Sequence, residues 1–248
     1  LKNCVRARCI HGSVSKSILG AWEGWLYKRL RTYRYIDAII CPSLFLKGRL
    51  QTEPALREKL VVMPNFINMA DAGDKIWKKE NYILYFGRYS IEKGIETLLK
   101  VCRSLQEIPF VFAGDGPLTE EVETCANIEN RGFLKGNELF ETIGKAQLAV
   151  IPSECYENCP FSVMEAISCG TPVLGSNIGG IPELIEQGVT GELFNSGSDE
   201  DLSRKIQSLW EDRDKLSEYS INCQIKKFDT VEEYCQKLLL LYRQTYLL

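Results

Sequence analysis

Two glutamates stand eight positions apart in the stretch Glu157-Asn-Cys-Pro-Phe-Ser-Val-Met-Glu165, across a predicted loop-to-helix junction. Pro160 fits the first helical turn, where its missing N–H costs nothing. Phe161, Met164 and Ile167 follow at helical spacing, and Gly170 ends the helix. The free amides at such a helix start can face an anion. Glu165 is then within reach of whatever carries that anion. The arrangement suits a sugar nucleotide, with the diphosphate on the amides and the ribose hydroxyls on the carboxylate.

A second loop, Gly87-Arg88-Tyr-Ser-Ile-Glu92-Lys93-Gly94, follows a predicted strand and opens a helix. Arg88 and Lys93 can converge there on a phosphate, the guanidinium as a fork of donors and the ammonium as a point charge. Two cations beside a departing diphosphate stabilise the charge that grows as its bond to the sugar breaks. The same loop also reads as a surface turn with solvated charges. Gly114-Asp-Gly116-Pro117 is a tight strand-to-helix turn whose glycines serve backbone geometry, or at Gly116 leave room for a base. Gly179-Gly180-Ile-Pro-Glu183 either caps a helix, with Glu183 complementing its dipole, or admits a ligand closely.

These loops need a scaffold, and the chain supplies one from residue 81 onward. Strands are predicted at Tyr82–Phe86, Pro109–Ala113, Asn130–Leu134, Leu148–Ile151 and Thr171–Gly175. Helices are predicted at Ile95–Leu105, after Pro117 to about Cys125, and at Glu138–Lys145, 160–169 and Ile181–Glu186. This alternation means βαβ units: an α/β, Rossmann-like parallel sheet with helices on both faces. After Gly191-Glu-Leu-Phe194 the chain reads as helical, over 199–210, 213–223 and 229–246. Ligands of open parallel sheets bind at the carboxyl ends of the strands. The loops there are 87–94, 114–117, 152–160 and 176–182, those richest in Gly, Pro, charge and hydroxyls.

With 248 residues, 45% hydrophobic and 25% charged, the composition is that of a globular chain. No run approaches the about 18 consecutive apolar residues of a membrane span, and no signal peptide is seen. Ten cysteines spread over this length do not make a secreted disulfide scaffold, and several lie where Cys acts as a small hydrophobe, so a reducing cytoplasm is expected. Cys4-x4-Cys9 is the exception and resembles half of a metal or disulfide clip. Asp199-Glu-Asp201 and Asp212-Arg-Asp214 match an Asp-x-Asp metal pattern in form, but they lie at predicted helix starts, where Asp caps free amides. His11 is the single histidine.

Charge is uneven: residues 1–68 hold 12 basic and 4 acidic side chains, and the remainder 18 and 29. A predicted helix around 18–35 sets Ile18, Trp22, Trp25, Leu26, Leu30 and Tyr33 on one stripe, with Lys28, Arg31 and Arg34 on another. Such a helix can rest on an anionic membrane, or serve as a domain helix with a solvated basic face. No wider basic surface supports nucleic-acid binding.

Together, Gly87-Arg88…Glu92-Lys93-Gly94, Ala113-Gly-Asp-Gly-Pro117, Glu157-x7-Glu165, Cys169-Gly-Thr-Pro-Val173 and Gly179-Gly-Ile-Pro-Glu183 resemble the retaining family-4 (group 1) glycosyltransferases of GT-B fold, of the kind that builds bacterial surface polysaccharides. The resemblance implies a donor-nucleotide domain over 81–228, the C-terminal half of a GT-B fold, after a 69–80 linker. Residues 1–68 would be the end of an acceptor-side N-terminal domain, with an upstream segment expected, and 229–248 a helix packing back toward that part. It implies Arg88, Lys93 and Glu157 as catalytic residues, and Gly87, Gly114, Gly116, Asn158, Cys159, Pro160, Phe161, Ser162 and Glu165 as donor-binding residues. Arg88 and Lys93 would hold the diphosphate, Glu165 the ribose, and Glu157 with the amides of 158–162 the phosphates and sugar. It implies a nucleotide-sugar donor, a glycan or lipid-linked acceptor, no cofactor, no metal and a cytoplasmic location, with peripheral contact to the inner membrane face. Retention would proceed by same-face attack, the leaving phosphate helping to take the acceptor's proton. Cys159-Pro160 replaces the Gly-Phe or Ser-Phe of many members, which leaves donor choice open. With so little of the acceptor side, the chain as given can bind donor without transferring sugar. A sugar-nucleotide epimerase, a phosphorylase of related fold and a non-catalytic nucleotide-sugar module are the alternatives.

Overall fold

The structure, a computed structural model, describes residues 2–68 and 76–246. The first part runs α1 (Lys2–Arg6), α2 (Val14–Arg29), β1 (Ile39–Cys41), α3 (Leu44–Leu50) and β2 (Leu60–Val62). The second alternates β3 (Ile83–Phe86), α4 (Ile95–Ser104), β4 (Phe110–Ala113), α5 (Thr119–Glu123), β5 (Ile128–Asn130), α6 (Gly136–Lys145), β6 (Leu148–Ile151), α7 (Phe161–Ser168), β7 (Val173–Ser176), α8 (Ile181–Leu184) and β8 (Gly191–Phe194). Helices α9 (Asp199–Glu211), α10 (Arg213–Ile225) and α11 (Val231–Tyr246) close the chain.

The second part is the expected Rossmann-like sheet. Six parallel strands lie in the order β5-β4-β3-β6-β7-β8. Strands β3, β4, β6 and β7 are buried along their whole length, as strands covered by helices on both faces must be. One core layer gathers Leu84, Val111, Ala149, Val163 and Ile167, and the other Ile83, Phe110, Phe112, Leu148 and Leu98. Strand order reverses between β3 and β6, which opens a crevice at their carboxyl ends.

Several boundaries differ from expectation. The strand expected at Asn130–Leu134 is β5, which pairs with β4 through Ile128–Asn130 and so starts two residues earlier and ends four residues earlier. Phe133 and Leu134 leave the sheet because they line a cavity. Gly191–Phe194 forms an edge strand, whose half-buried Glu192 and Leu193 hide the apolar signal of an interior strand. Pro160 is the N-cap of α7 rather than its first residue. Ser198 caps α9, and Asp212 caps α10 by accepting the Lys215 N–H at 3.0 Å.

The first part is slighter. β1 and β2 form a two-stranded parallel sheet over Cys41, Leu56 and Leu60. The basic helix spans 14–29 rather than 18–35, because Arg31 turns left-handed (φ 53°). Tyr33 then falls in a 3-10 turn and packs on Cys41, Leu56 and Leu60, so it leaves the expected stripe. Ile18, Trp22, Trp25 and Leu30 remain exposed. Among the described residues no helix is long and apolar enough to cross a membrane.

Specific contacts join the two parts. The Glu183 carboxylate accepts the Leu44 and Phe45 N–H groups at 2.7 and 2.6 Å. Phe45 meets Tyr156 at 5.1 Å between ring centres. Asn65 donates to the Cys159 carbonyl at 2.9 Å. The Ile67 N–H reaches the Asp229 carbonyl at 2.9 Å, and Phe66 packs on Tyr234 of α11. Of the expected 69–80 linker, residues 69–75 lie outside the described residues.

Candidate functional site

Four loops meet at the carboxyl edge of the sheet. The loop after β3 is zipped to the loop after β4: the Gly87 N–H reaches the Ala113 carbonyl at 3.0 Å, and the Tyr89 N–H the Asp115 carbonyl at 2.9 Å. Backbones this close leave no room for side chains. A Cβ on Gly114 would sit 1.9 Å from the Gly87 carbonyl oxygen, and one on Gly116 would sit 2.4 Å from that of Tyr89. The space at Gly116 is therefore taken by Tyr89 and not reserved for a base. Tyr89 is fully buried, and its hydroxyl meets Asn130 Oδ1 at 3.0 Å. The Tyr85 hydroxyl donates to the Arg88 carbonyl at 2.8 Å, which fixes the loop that carries Arg88.

A cavity of about 560 Å³ opens above these loops. Gly87, Arg88, Gly114, Asp115 and Gly116 form one side, Phe133, Leu134 and Leu139 an apolar side, and Ser162 and Glu165 of α7 a third. The first turn of α7 has no side-chain cap, because its N-cap is Pro160. Its amides are thus of the kind that receive anions. Glu165 lies one turn inside. Burial alone raises its carboxyl above the usual range, and no hydrogen bond from another described residue offsets that.

Lys93 and Glu157 meet elsewhere, directly over the crevice between β3 and β6. Their side chains form an ion pair, and the Ser153 hydroxyl donates to the same Glu157 oxygen at 3.1 Å. The loop that carries Glu157 is strapped down from below, since the Glu154 N–H reaches the Glu92 carbonyl at 3.0 Å and the Glu154 carboxylate binds Thr97. Arg88 and Lys93 therefore do not share one lining: Arg88 faces the cavity with Glu165, and Lys93 faces Glu157.

The remaining predicted residues divide by burial. Cys159 is buried, with its sulfur 3.8 Å from that of Met164, so its side chain belongs to the core. Phe161 is half-exposed at the start of α7. Asn158 abuts the Gly179-Gly180 turn, where a Cβ on Gly180 would lie 1.8 Å from the Asn158 carbonyl oxygen. That glycine pair admits the Glu157–Asn158 backbone, not a ligand, and the Gly180 N–H bonds the Glu157 carbonyl at 2.6 Å. Glu183 sits in the first turn of α8, as expected, and its carboxylate also caps α3 across the molecule. Sequence reasoning missed Ser153 and the apolar side of the cavity, Phe133, Leu134 and Leu139. Ser153 lies two residues beyond the end of β6, and the sequence signal at Phe133 is an aromatic directly after Gly132; its 76% exposure is visible only in the structure.

Residues 70–225 match the family model for glycosyl transferases group 1. The sulfoquinovosyl transferase SQD2 of Arabidopsis thaliana is 38% identical over 138 residues, 53% of this chain and 27% of that protein. The uncharacterized glycosyltransferase MJ1178 of Methanocaldococcus jannaschii is 26% identical over 81% of this chain and 57% of its own length. The chain thus spans little more than half, or less, of these curated relatives. Anabaena HepE in complex with UDP superposes with a TM-score of 0.72 at 20% identity, over 85% of this chain and 65% of that one. Sucrose-phosphate synthase from Thermosynechococcus elongatus gives 0.72 at 21% identity, over 85% and 58%. These likenesses agree with the Rossmann-like half of a GT-B fold. The match over 70–225 covers more than half of the chain, and the chain belongs to the glycosyl transferases group 1.

Proposed function

We propose that this chain carries the donor-binding half of a glycosyltransferase that moves a sugar from a nucleoside-diphosphate donor to a glycan or lipid-linked acceptor. The observation that carries this reading is the cavity that sets Arg88, the Gly114–Gly116 turn, the α7 start and Glu165 around one space. In it, Arg88 and the α7 amides hold the diphosphate. Glu165 accepts the ribose hydroxyls, and Phe133, Leu134 and Leu139 cover the base. Lys93 and Glu157 stand over the crevice, where the diphosphate leaves and the sugar is presented. Lys93 stabilises the growing phosphate charge, and Glu157, held by Lys93 and Ser153, orients the sugar. Cationic side chains and helix amides serve in place of a metal. The acceptor attacks from the face the phosphate leaves, so configuration is retained, and the departing oxygen takes the acceptor's proton.

In this reading residues 1–68 are one side of an acceptor domain, and the exposed aromatic and basic residues of α2 bring the protein to the inner face of an anionic membrane. UDP serves as the probe because HepE was crystallised with it. Titration calorimetry should show UDP binding that Arg88→Ala weakens roughly tenfold to a hundredfold, the ~1.5–3 kcal/mol of a charge-assisted hydrogen bond. Glu165→Ala should weaken it as well. Equal affinity in both variants would remove the site assignment, and conversion of a UDP-sugar with no acceptor present would replace transfer with epimerisation. An inverted anomeric centre in the product, read by proton NMR, would overturn retention.

A further inference from the structure

We propose that a pocket at the amino ends of β1 and β2 is a binding site for a phosphate-monoester group, held by Arg31 and Arg34. The pocket has a volume of about 570 Å³ and shares no lining residue with the donor cavity. Four cations line it, Lys28, Arg31, Arg34 and Lys59, against the one carboxylate of Glu53. The turn that carries the arginines leads into β1, and Lys59 leads into β2. Leu44 and Phe45, which meet Glu183 at the seam, follow β1 instead. The pocket therefore lies at the opposite end of these strands from the seam, and it is not a subsite of the donor cavity.

Local structure builds the pocket. The chain leaves α2 where Arg31 turns left-handed, at φ 53° and ψ 36°, a backbone that is unfavourable for residues with a Cβ and persists only where the surroundings impose it. The 3-10 turn Thr32–Tyr35 follows, closed by the Arg34 N–H on the Arg31 carbonyl at 3.0 Å. Three residues make one turn of such a helix, and Arg31 and Arg34 both line the pocket. The Lys59 ammonium fastens the turn by donating to the carbonyls of Tyr33 and Arg34, at 3.0 and 3.1 Å, and to that of Ile36. Tyr33 packs on the small core of Cys41, Leu56 and Leu60, which anchors this wall.

The four cations are not equally engaged. Lys59 has its donors on carbonyls, and Lys28 is paired with Glu53 at 2.8 Å. Arg31 and Arg34 are exposed and enter no ion pair among the described residues. Two unpaired guanidinium forks, backed by two ammonium charges, match a phosphate monoester, which carries a charge of about −1.5 to −2 at pH 7 and three acceptor oxygens. A single carboxylate would leave most of these donors unused. The group arrives either on a soluble phosphorylated molecule or on a lipid headgroup. Trp25 and Leu30, exposed just before the arginines, suit the second source. That source rests on the membrane reading above, and the site itself does not.

The test is an NMR titration of the amide-labelled chain with inorganic phosphate, against sodium chloride of equal ionic strength. UDP is added first to fill the donor cavity, at a concentration far below that of the phosphate. Saturable shifts are expected at residues 30–36 and at Lys59. The double variant Arg31→Gln/Arg34→Gln, at two exposed positions, should weaken this binding about tenfold or more. Glu53→Gln removes the opposing charge and frees Lys28, and should tighten it about twofold to fivefold. Chloride that reproduces the shifts, shifts that never saturate, or equal affinity in the double variant overturns the proposal. A chain that fails to bind UDP but keeps these shifts removes the donor reading and leaves this site standing. Vesicle sedimentation assigns the source. Preference for phosphatidic acid over phosphatidylglycerol at equal surface charge, lost in the double variant, marks a lipid headgroup. No preference, with the phosphate shifts intact, marks a soluble ligand.

Discussion

Between Ile83 and Ser176 the interior strands are buried on both faces, whereas β1 and β2 share a small core in which Cys41, Leu56 and Leu60 are buried under partly exposed neighbours such as Tyr33 and Leu46, and Trp22, Trp25 and Leu30 stay in solvent. Every residue that lines the cavity belongs to the first of these regions. The smaller region touches the site indirectly, through Asn65 on the Cys159 carbonyl and Phe45 on Tyr156. The difference teaches that donor recognition is built where packing is dense enough to fix loop positions. A two-stranded sheet is marginal by itself, and it contributes contacts to the Glu157 loop rather than groups in the cavity.

The comparison is broken most severely at Gly114. Gly114→Ala forces a Cβ to 1.9 Å from a backbone oxygen, and should cost about 3 kcal/mol of global stability together with UDP binding, as read by urea denaturation and calorimetry. Leu56→Ala tests the other region. It empties part of a small core and should cost ~2–3 kcal/mol there. Hydrogen exchange should then rise across 36–62 while UDP affinity stays within about twofold, since no cavity residue moves. If affinity fell as far as in Gly114→Ala, the two regions would be one energetic unit.

A third test concerns the half-buried Lys79, whose ammonium donates at 2.8 Å to both the Gly170 carbonyl and the Thr171 hydroxyl. Burial pulls its pKa down to about 8. Between about pH 8 and the ordinary lysine value the unfolded chain binds more protons than the folded one, so this residue makes stability rise with pH across that window. Below pH 8 the burial penalty is fully present. Cys169 and Cys223 nearby are pushed up to about 12 and stay neutral throughout. Chemical denaturation from pH 8 to 10 should show this gain, at most about 1.4 kcal/mol per pH unit, and Lys79→Met should abolish it. The smallest effect is expected at the seam. Glu183→Gln weakens a charged cap on α3 and should cost about 1 kcal/mol, visible as faster exchange at Leu44 and Phe45 with UDP binding unchanged.

The sheet was legible because strands buried on both faces read as apolar runs, as at Ile83–Phe86 and Leu148–Ile151. β8 was not, since an edge strand with Glu192 on it loses that signature. Of the site, Arg88, the glycine turn and Glu165 could be named from their loops, and the structure brings them around one cavity. The pairing of Lys93 with Glu157 could not, because it joins residues 64 positions apart and depends on which strands lie side by side. Glu183 shows the same limit: its local context suggests a cap for its own helix, yet its partners are Leu44 and Phe45. Glycines were read by conformational freedom, while at Gly116 and Gly180 the deciding factor is the backbone packed against them.

The most direct test of the donor-site assignment is NMR chemical-shift mapping on the amide-labelled chain titrated with UDP. The account predicts perturbations concentrated at Gly87–Arg88, Gly114–Gly116, Phe133 and Ser162–Glu165, with residues 2–62 nearly silent. Perturbations centred instead on the α9–α10 groove around Arg204 and Arg213, or on the basic surface of Lys28, Arg31 and Arg34, would contradict it.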